Sequence, residues 1–270
     1  MRYIKEFYSF LKHIAQSHRL LFALVMNDFR KQYLGSYLGL VWAILQPLSF
    51  ILVIWFVFEV GFRAGPVIGD TPFFLWLISG LVPWFFFSNA VSSGTNAIVG
   101  NAYLIKKVAF RVSILPLVHI GSAFLVHLML LGILIIAFLL HGFYPTIYWL
   151  QLPYFVLCSM VLMLGISWLT SALRVFIKDI GNLIGIILQL GFWFTPIFWS
   201  MELVPEKYRY IIKLNPMFYI VEGYRDTLIT HVWFWEKYKV TPYFIVTTGL
   251  LFIVGAIVFK RLRPHFGDVL

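Results

Sequence analysis

The chain has 270 residues, of which 61% are hydrophobic, 19% aromatic and only 12% charged, with a net charge of +10. A typical globular domain carries about 25% charged residues, so little material remains here for a soluble domain. A single cysteine, Cys158, inside an apolar run excludes a disulfide framework and a thiolate metal site.

Five stretches lack any Asp, Glu, Lys or Arg: 34–58, 71–105, 112–173, 180–201 and 240–259. A hydrocarbon core about 30 Å thick takes roughly 20 apolar helical residues per crossing. The third stretch holds two crossings and breaks at His141-Gly142-Phe143-Tyr144-Pro145. Six transmembrane helices are therefore expected, at about 38–58, 71–94, 114–140, 147–173, 180–198 and 240–259. The fold class is an all-α membrane protein. With the N-terminus inside, the internal segments carry 14 basic residues against four acidic ones, and the external segments carry seven of each. All of the +10 then lies inside, which places both termini in the cytoplasm. This distribution serves topogenesis and anionic lipid, and no nucleic-acid partner is expected.

In chain order, residues 1–33 read as an amphipathic helix on the cytoplasmic face, and 34–270 as the six-span domain. Tyr3, Phe7, Phe10, Leu11, Ile14, Leu21 and Val25 form its apolar stripe, with Lys5, Lys12 and Arg19 on other faces. No charged n-region with a short apolar core and cleavage site opens the chain, so no cleaved signal is expected. Pro72 opens the second span and Pro83 is expected to kink it. The internal connections are a basic segment, 101–111, and a very short one, 174–179. The external segment 202–235 contains two apolar runs, 214–221 and 227–235, too short to cross and interrupted by Asn215-Pro216 and Gly223. Re-entrant helices fit this pattern, because irregular backbone at membrane depth must pack on protein or line a cavity. An aromatic interfacial loop is the alternative.

No G-x-x-x-x-G-K-[ST] phosphate loop is present, so the chain does not hydrolyse ATP in the P-loop manner. His119 and His127 lie eight residues apart with no carboxylate beside them, so no metal site is expected. The spans lack the buried acids and lysines of a proton relay, and no catalytic residue is assigned. What the spans do carry is amides and aromatics. Trp42, Gln46, Ser49 and Phe56 share one face of the first span, with Pro47 beside them. Asn182, Gln189, Trp193 and Pro196 share a face of the fifth, with Phe192 alongside. An amide in hydrocarbon needs a partner, so these faces should point into a bundle. Aromatic faces suit the C–H faces of sugar rings, and amides bond hydroxyls.

The run Arg30-Lys31-Gln32-Tyr33-Leu34-Gly35-Ser36-Tyr37-Leu38-Gly39, continuing through Trp42 to Gln46-Pro47, resembles the opening motif of ABC type-2 permeases that export polysaccharides and polyol phosphates. Asp179-Ile180 with Gln189 and Thr195-Pro196, Leu214-Asn215-Pro216-Met217 with Glu222-Gly223-Tyr224-Arg225, and the tail 261–270 are similar to later family segments. Val108-Ala109 within 106–111 departs from the pattern. The resemblance implies a homodimer in the bacterial inner membrane with a glycan channel between protomers. It also implies two copies of a separate P-loop ATPase, which would hold the ATP and Mg; no cofactor is expected in this chain. Tyr33, Tyr37, Trp42, Gln46, Phe56, Gln189, Phe192, Trp193 and Trp199 would line the channel. Arg30, Lys31 and Lys107 would receive a lipid diphosphate. Lys106, Arg111, Arg174 and Lys178 would dock the ATPase, with Lys107 also on that surface, and Pro216, Glu222 and Arg225 would belong to an external gate. The implied function is export of a lipid-linked polysaccharide, O-antigen on undecaprenyl diphosphate foremost, with capsule or teichoic acid as alternatives. An exporter of small lipids or drugs, and a membrane glycan transferase using Glu202, Glu206, Glu222 or Asp226, are the other readings. Those four carboxylates fit pairing with Lys207, Arg209 and Arg225 better than chemistry.

Overall fold

The computed structural model describes residues 18–33, 37–63, 65, 69–103 and 112–270, and among these every regular element is helical. Five helices are long and apolar enough to cross a membrane: Val41–Gly61, Phe73–Thr95, Val112–Leu140, Ile147–Phe176 and Val240–Val269. The predicted fifth span is a shorter apolar helix of 15 residues, Ile180–Phe194.

α1 (His18–Tyr33) precedes the spans, and the remainder of the predicted N-terminal helix lies outside the described residues. α1 rests on α4 (Leu115–Leu140), where Val25 fills the place a side chain would take at Gly121. Gly39, at φ 50°, turns the chain into α2 (Val41–Trp55), a backbone conformation that favours glycine. α2 loosens to π pitch over Phe56–Gly61, where the Trp55 indole N–H bonds the Glu59 carboxylate.

α3 (Phe73–Thr95) is the axis of the molecule and is buried along most of its length. It packs against α2, α4, α5 (Leu152–Phe176), α6 (Ile180–Phe194) and α8 (Pro216–Arg225). Hydrophobic driving force is absent between helices in lipid, so close packing carries their association. One such close approach joins α5 to α9 (Val240–Leu262), where a Cβ on Gly255 would overlap the carbonyl oxygen of Gly165. α4 ends at His141, and Gly142 at φ 81° reverses the chain at the predicted break.

α6 stops where Thr195 turns extended, at φ −86° and ψ 133°, because Pro196 disfavours a helical residue before it. Between α6 and α9 lie α7 (Glu206–Lys213), mostly exposed, and α8, mostly buried. Asn215 caps α8 by accepting from the Met217 N–H at 3.0 Å, with Pro216 in the first turn. Gly223 lets α8 lie directly on the Phe155 ring of α5. A left-handed His231, at φ 56°, ends the π-helical extension Asp226–Thr230. The terminal α10 (Phe266–Val269) buries Phe266 beside Phe259 and Phe176.

Candidate functional site

A cavity of about 800 Å³ lies among α1, α2, α3, α4 and α6. Tyr33 closes it from α1; Trp42, Gln46, Ser49 and Phe50 face it from α2; Ser88, Asn89 and Ser92 come from α3; His127 comes from α4 and Gly185 from α6. Its wall thus combines rings, amides and hydroxyls with aliphatic side chains such as Val53, Val126 and Leu130. Burial pushes the Tyr33 hydroxyl above its ordinary range, with a bond to the Asn89 side chain acting the other way. His127 stacks on Phe86 at 4.5 Å and its Nε2 shares a 2.9 Å hydrogen bond with the Tyr224 hydroxyl. That bond ties the cavity wall to α8.

Of the nine residues assigned to a channel, Tyr33, Trp42 and Gln46 line this cavity. Tyr37 is fully exposed ahead of α2, and Phe56 is exposed in the π-helical end of that helix. Phe192 packs at the edge of the site against Phe50, Trp84 and Phe198, with ring centroids 5.6 to 5.8 Å away. Trp193 and Gln189 are on the uncovered face of α6, as is Asn182. The Trp199 indole N–H donates to the Trp193 carbonyl at 3.1 Å. Sequence reasoning missed Ser88, Asn89 and Ser92, although three polar residues within five positions of an apolar helix were a readable signal.

At the α1 end, Arg30 and Lys31 are exposed, and Lys31 Nζ donates to the Tyr103 hydroxyl at 3.5 Å. Asp28 on α1 lies 3.1 Å from His119 of α4 and accepts from the Gln32 amide at 2.9 Å. Burial alone would raise the Asp28 pKa, but His119, Ser122 and Gln32 together hold it below the usual carboxylate value. Arg174 lies on Gly181, where a Cβ would meet its guanidinium, so it braces the short connection from α5 to α6. Lys178 is exposed in that connection. Lys106, Lys107 and Arg111 lie outside the described residues.

At the opposite end Arg225 is buried, 1% exposed, with both terminal nitrogens paired and its Nε without a hydrogen-bond partner among the described residues. It donates to the carbonyl oxygens of Pro196 at 2.6 Å and Ile197 at 2.8 Å, and to Glu222 at 2.8 Å. Asn215 adds a second link, its amide donating to the Thr195 hydroxyl at 2.8 Å. Pro216 and Glu222 therefore sit on a helix clamped at both ends to the strap 195–198. Asp226 pairs with Lys237. Of the four candidate external carboxylates, Glu222 and Asp226 are engaged in ion pairs. Among the described residues no group of three or more His, Cys, Asp or Glu is placed to hold a metal.

The family model described as ABC-2 type transporter matches residues 19–229. The chain belongs to that family. It is 28% identical over 252 residues to the O-antigen export system permease protein RfbA of Klebsiella pneumoniae, covering 93% of this chain and 95% of that one. A protein of the same name from Myxococcus xanthus is 27% identical over 223 residues, 82% of this chain and 84% of its own. The polysialic acid transport protein KpsM of Escherichia coli is 22% identical over 215 residues, 77% and 80% of the two chains. Family membership and the five apolar helices make this a multi-pass inner-membrane permease.

Proposed function

We propose that the chain is the membrane subunit of an ATP-driven exporter that moves a lipid-linked polysaccharide, O-antigen-like, from cytoplasm to periplasm. The observation that carries this reading is the wall of the 800 Å³ cavity, where Trp42 and Phe50 are accompanied by Gln46, Ser49, Ser88, Asn89 and Ser92. Rings together with short polar groups suit a sugar chain that must slide, because no charged contact holds it. The names of the relatives, export permeases for O-antigen and polysialic acid, point the same way.

In this reading α6, extended by the strap 195–198, is the sixth crossing, and both termini are cytoplasmic. A second copy covers α6: Asn182 and Gln189 lie exposed on an otherwise apolar helix, and an amide facing lipid is costly without a partner. A homodimer would place two such faces together and join the two cavities into one path. The pathway then takes Tyr33, Tyr37, Trp42, Gln46, Phe56, Gln189, Phe192, Trp193 and Trp199 in sequence along the dimer seam. Two copies of a P-loop ATPase, holding ATP and Mg, would dock on α1 and on the connections bearing Lys106, Arg111, Arg174 and Lys178. Arg30, Lys31 and Lys107 would meet the lipid diphosphate, since Arg and Lys pair well with phosphate. α7 and α8 would form the external gate.

The test is deletion of the chromosomal copy and complementation, with surface polysaccharide and its lipid-linked precursor measured in parallel. The reading expects loss of the surface polymer, precursor accumulating inside, and recovery with the wild-type chain. Normal surface polymer in the deletion strain would overturn it.

A further inference from the structure

A second cavity, of about 310 Å³, lies where α7 ends, α8 passes and the segment before α9 begins its span. Phe218 and Tyr219 form a buried apolar floor, while Lys213, Lys237 and Lys239 share the rim with Glu222 and Glu236. The internal pairings leave an imbalance. Lys237 is held by Asp226, Glu222 by Arg225 at 2.8 Å, and Glu236 accepts from the Trp233 N–H at 3.2 Å. Lys213 and Lys239 have no carboxylate partner among the described residues. Glu236 keeps its charge, since its partner is a neutral N–H, so Lys213 and Lys239 face one unpaired carboxylate and the rim stays net positive, which favours anionic oxygens.

The surroundings say what else such a ligand carries. Lys239, Tyr243, Val246, Leu250 and Ile253 follow one another at spacings of four and three, so they share a face of α9. Val246, Leu250 and Ile253 on that face are exposed. The Tyr243 hydroxyl donates to the Leu214 carbonyl at 3.0 Å, which sets this face against the end of α7 that bears Lys213. Exposed Trp235 and Tyr238 mark the level of the membrane interface. A charged cavity at headgroup depth thus stands at the top of an uncovered apolar face.

We propose that this is a phospholipid site, with the phosphate between Lys213 and Lys239 and the acyl chains along Val246, Leu250 and Ile253. Its volume is at the small end of the range for ligand sites, about 300–1,000 Å³, and suits a headgroup rather than a sugar chain. Glu222 is paired with Arg225 and the three lysines outnumber the carboxylates, so the fitting headgroup is anionic, like phosphatidylglycerol, and not zwitterionic. The site asks only for a membrane beside α9 and is independent of the export reading.

The experiment is native mass spectrometry of the full chain, delipidated in neutral detergent and titrated separately with phosphatidylglycerol, phosphatidylethanolamine and a polyprenyl diphosphate. We expect a tightly retained phosphatidylglycerol at one per chain, about tenfold tighter than phosphatidylethanolamine, and its loss in Lys213→Glu/Lys239→Glu. Lys207→Glu, on the same helix as Lys213 but outside the cavity, should keep it. If the double variant fails to fold, Lys239→Gln alone should weaken retention severalfold at an unchanged thermal midpoint. Equal retention of both phospholipids, retention by the Lys variants, or retention of polyprenyl diphosphate alone would overturn the proposal.

Discussion

The guanidinium of Arg225 lies 3.6 Å over the ring of Trp76. The ring covers one face of the cation, while its terminal N–H groups turn to the carbonyls of Pro196 and Ile197 and to Glu222. An α3 residue, the strap after α6 and the end of α8 thus meet at one side chain. Gly80 is part of this junction, since a Cβ there would stand 2.9 Å from the Arg225 guanidinium.

Arg225→Lys should behave as a disruptive change. A lysine offers neither the planar fork nor the ring stacking, and two buried carbonyls would lose a donor at about 1–3 kcal/mol each. A lowered thermal midpoint in detergent, with further loss in Arg225→Ala, is expected; an unchanged midpoint in both would show that the junction is not stabilising.

The crossing of α5 and α9 gives a sharper steric test. Gly255→Val drives a branched side chain into the Gly165 backbone and should cost more than the usual 1–3 kcal/mol of overpacking, because backbone cannot rotate away. Gly249, with nothing within 4 Å of its would-be Cβ, should accept Ala without loss. Folded yield by size-exclusion chromatography separates the two, and equal yields would contradict the close approach.

Asp28 and His119 pin α1 to α4, and the sign of the pH effect follows from the lowered Asp28 pKa. A depressed folded-state pKa gives stability that is present above the unfolded value, about 3.9, and is lost as pH falls through the folded value. Asp28→Asn should therefore lower the thermal midpoint at pH 7, by the equivalent of about 1 kcal/mol given the pair's partial exposure. The gap from wild type should close as pH drops below about 4. A gap that stays constant down to pH 3 would assign the effect to packing.

Ser92→Trp fills the large cavity from α3. Surface polymer should fall at least about tenfold with normal membrane levels, a cost of about 1.4 kcal/mol or more on transport. Ser88→Ala, which removes one hydroxyl and adds no bulk, should keep most export. Wild-type export with Ser92→Trp would remove this cavity from the pathway.

Much of this architecture was legible because membrane insertion writes long uncharged runs into the sequence. The reversal at Gly142 and the interruption at Asn215-Pro216 are local rules, and local rules survive without tertiary knowledge. The partners of α8 were less legible: Gly223 read as a breaker and Arg225 as part of a gate, yet Gly223 admits the Phe155 ring and Arg225 finds the carbonyls of the strap after α6. Such non-local satisfaction leaves no periodic trace. The length of α6 was over-read for a related reason, since an apolar run continues past the helix end through Ile197 and Phe198. The amide faces of α2 and α6 also differ in outcome. Gln46 lines the cavity, whereas Gln189, four residues after the cavity-lining Gly185, is exposed in the single chain and is not part of the wall.

The central claim is that this permease works with an ATPase supplied by another chain. Gentle purification of the tagged protein from its native membranes, with ATP hydrolysis assayed and co-eluting proteins and lipids identified, tests it most directly. The account predicts a P-loop ATPase at one copy per permease chain, with a lipid-linked glycan bound. A chain that elutes alone and without ATPase activity under several mild conditions would contradict it.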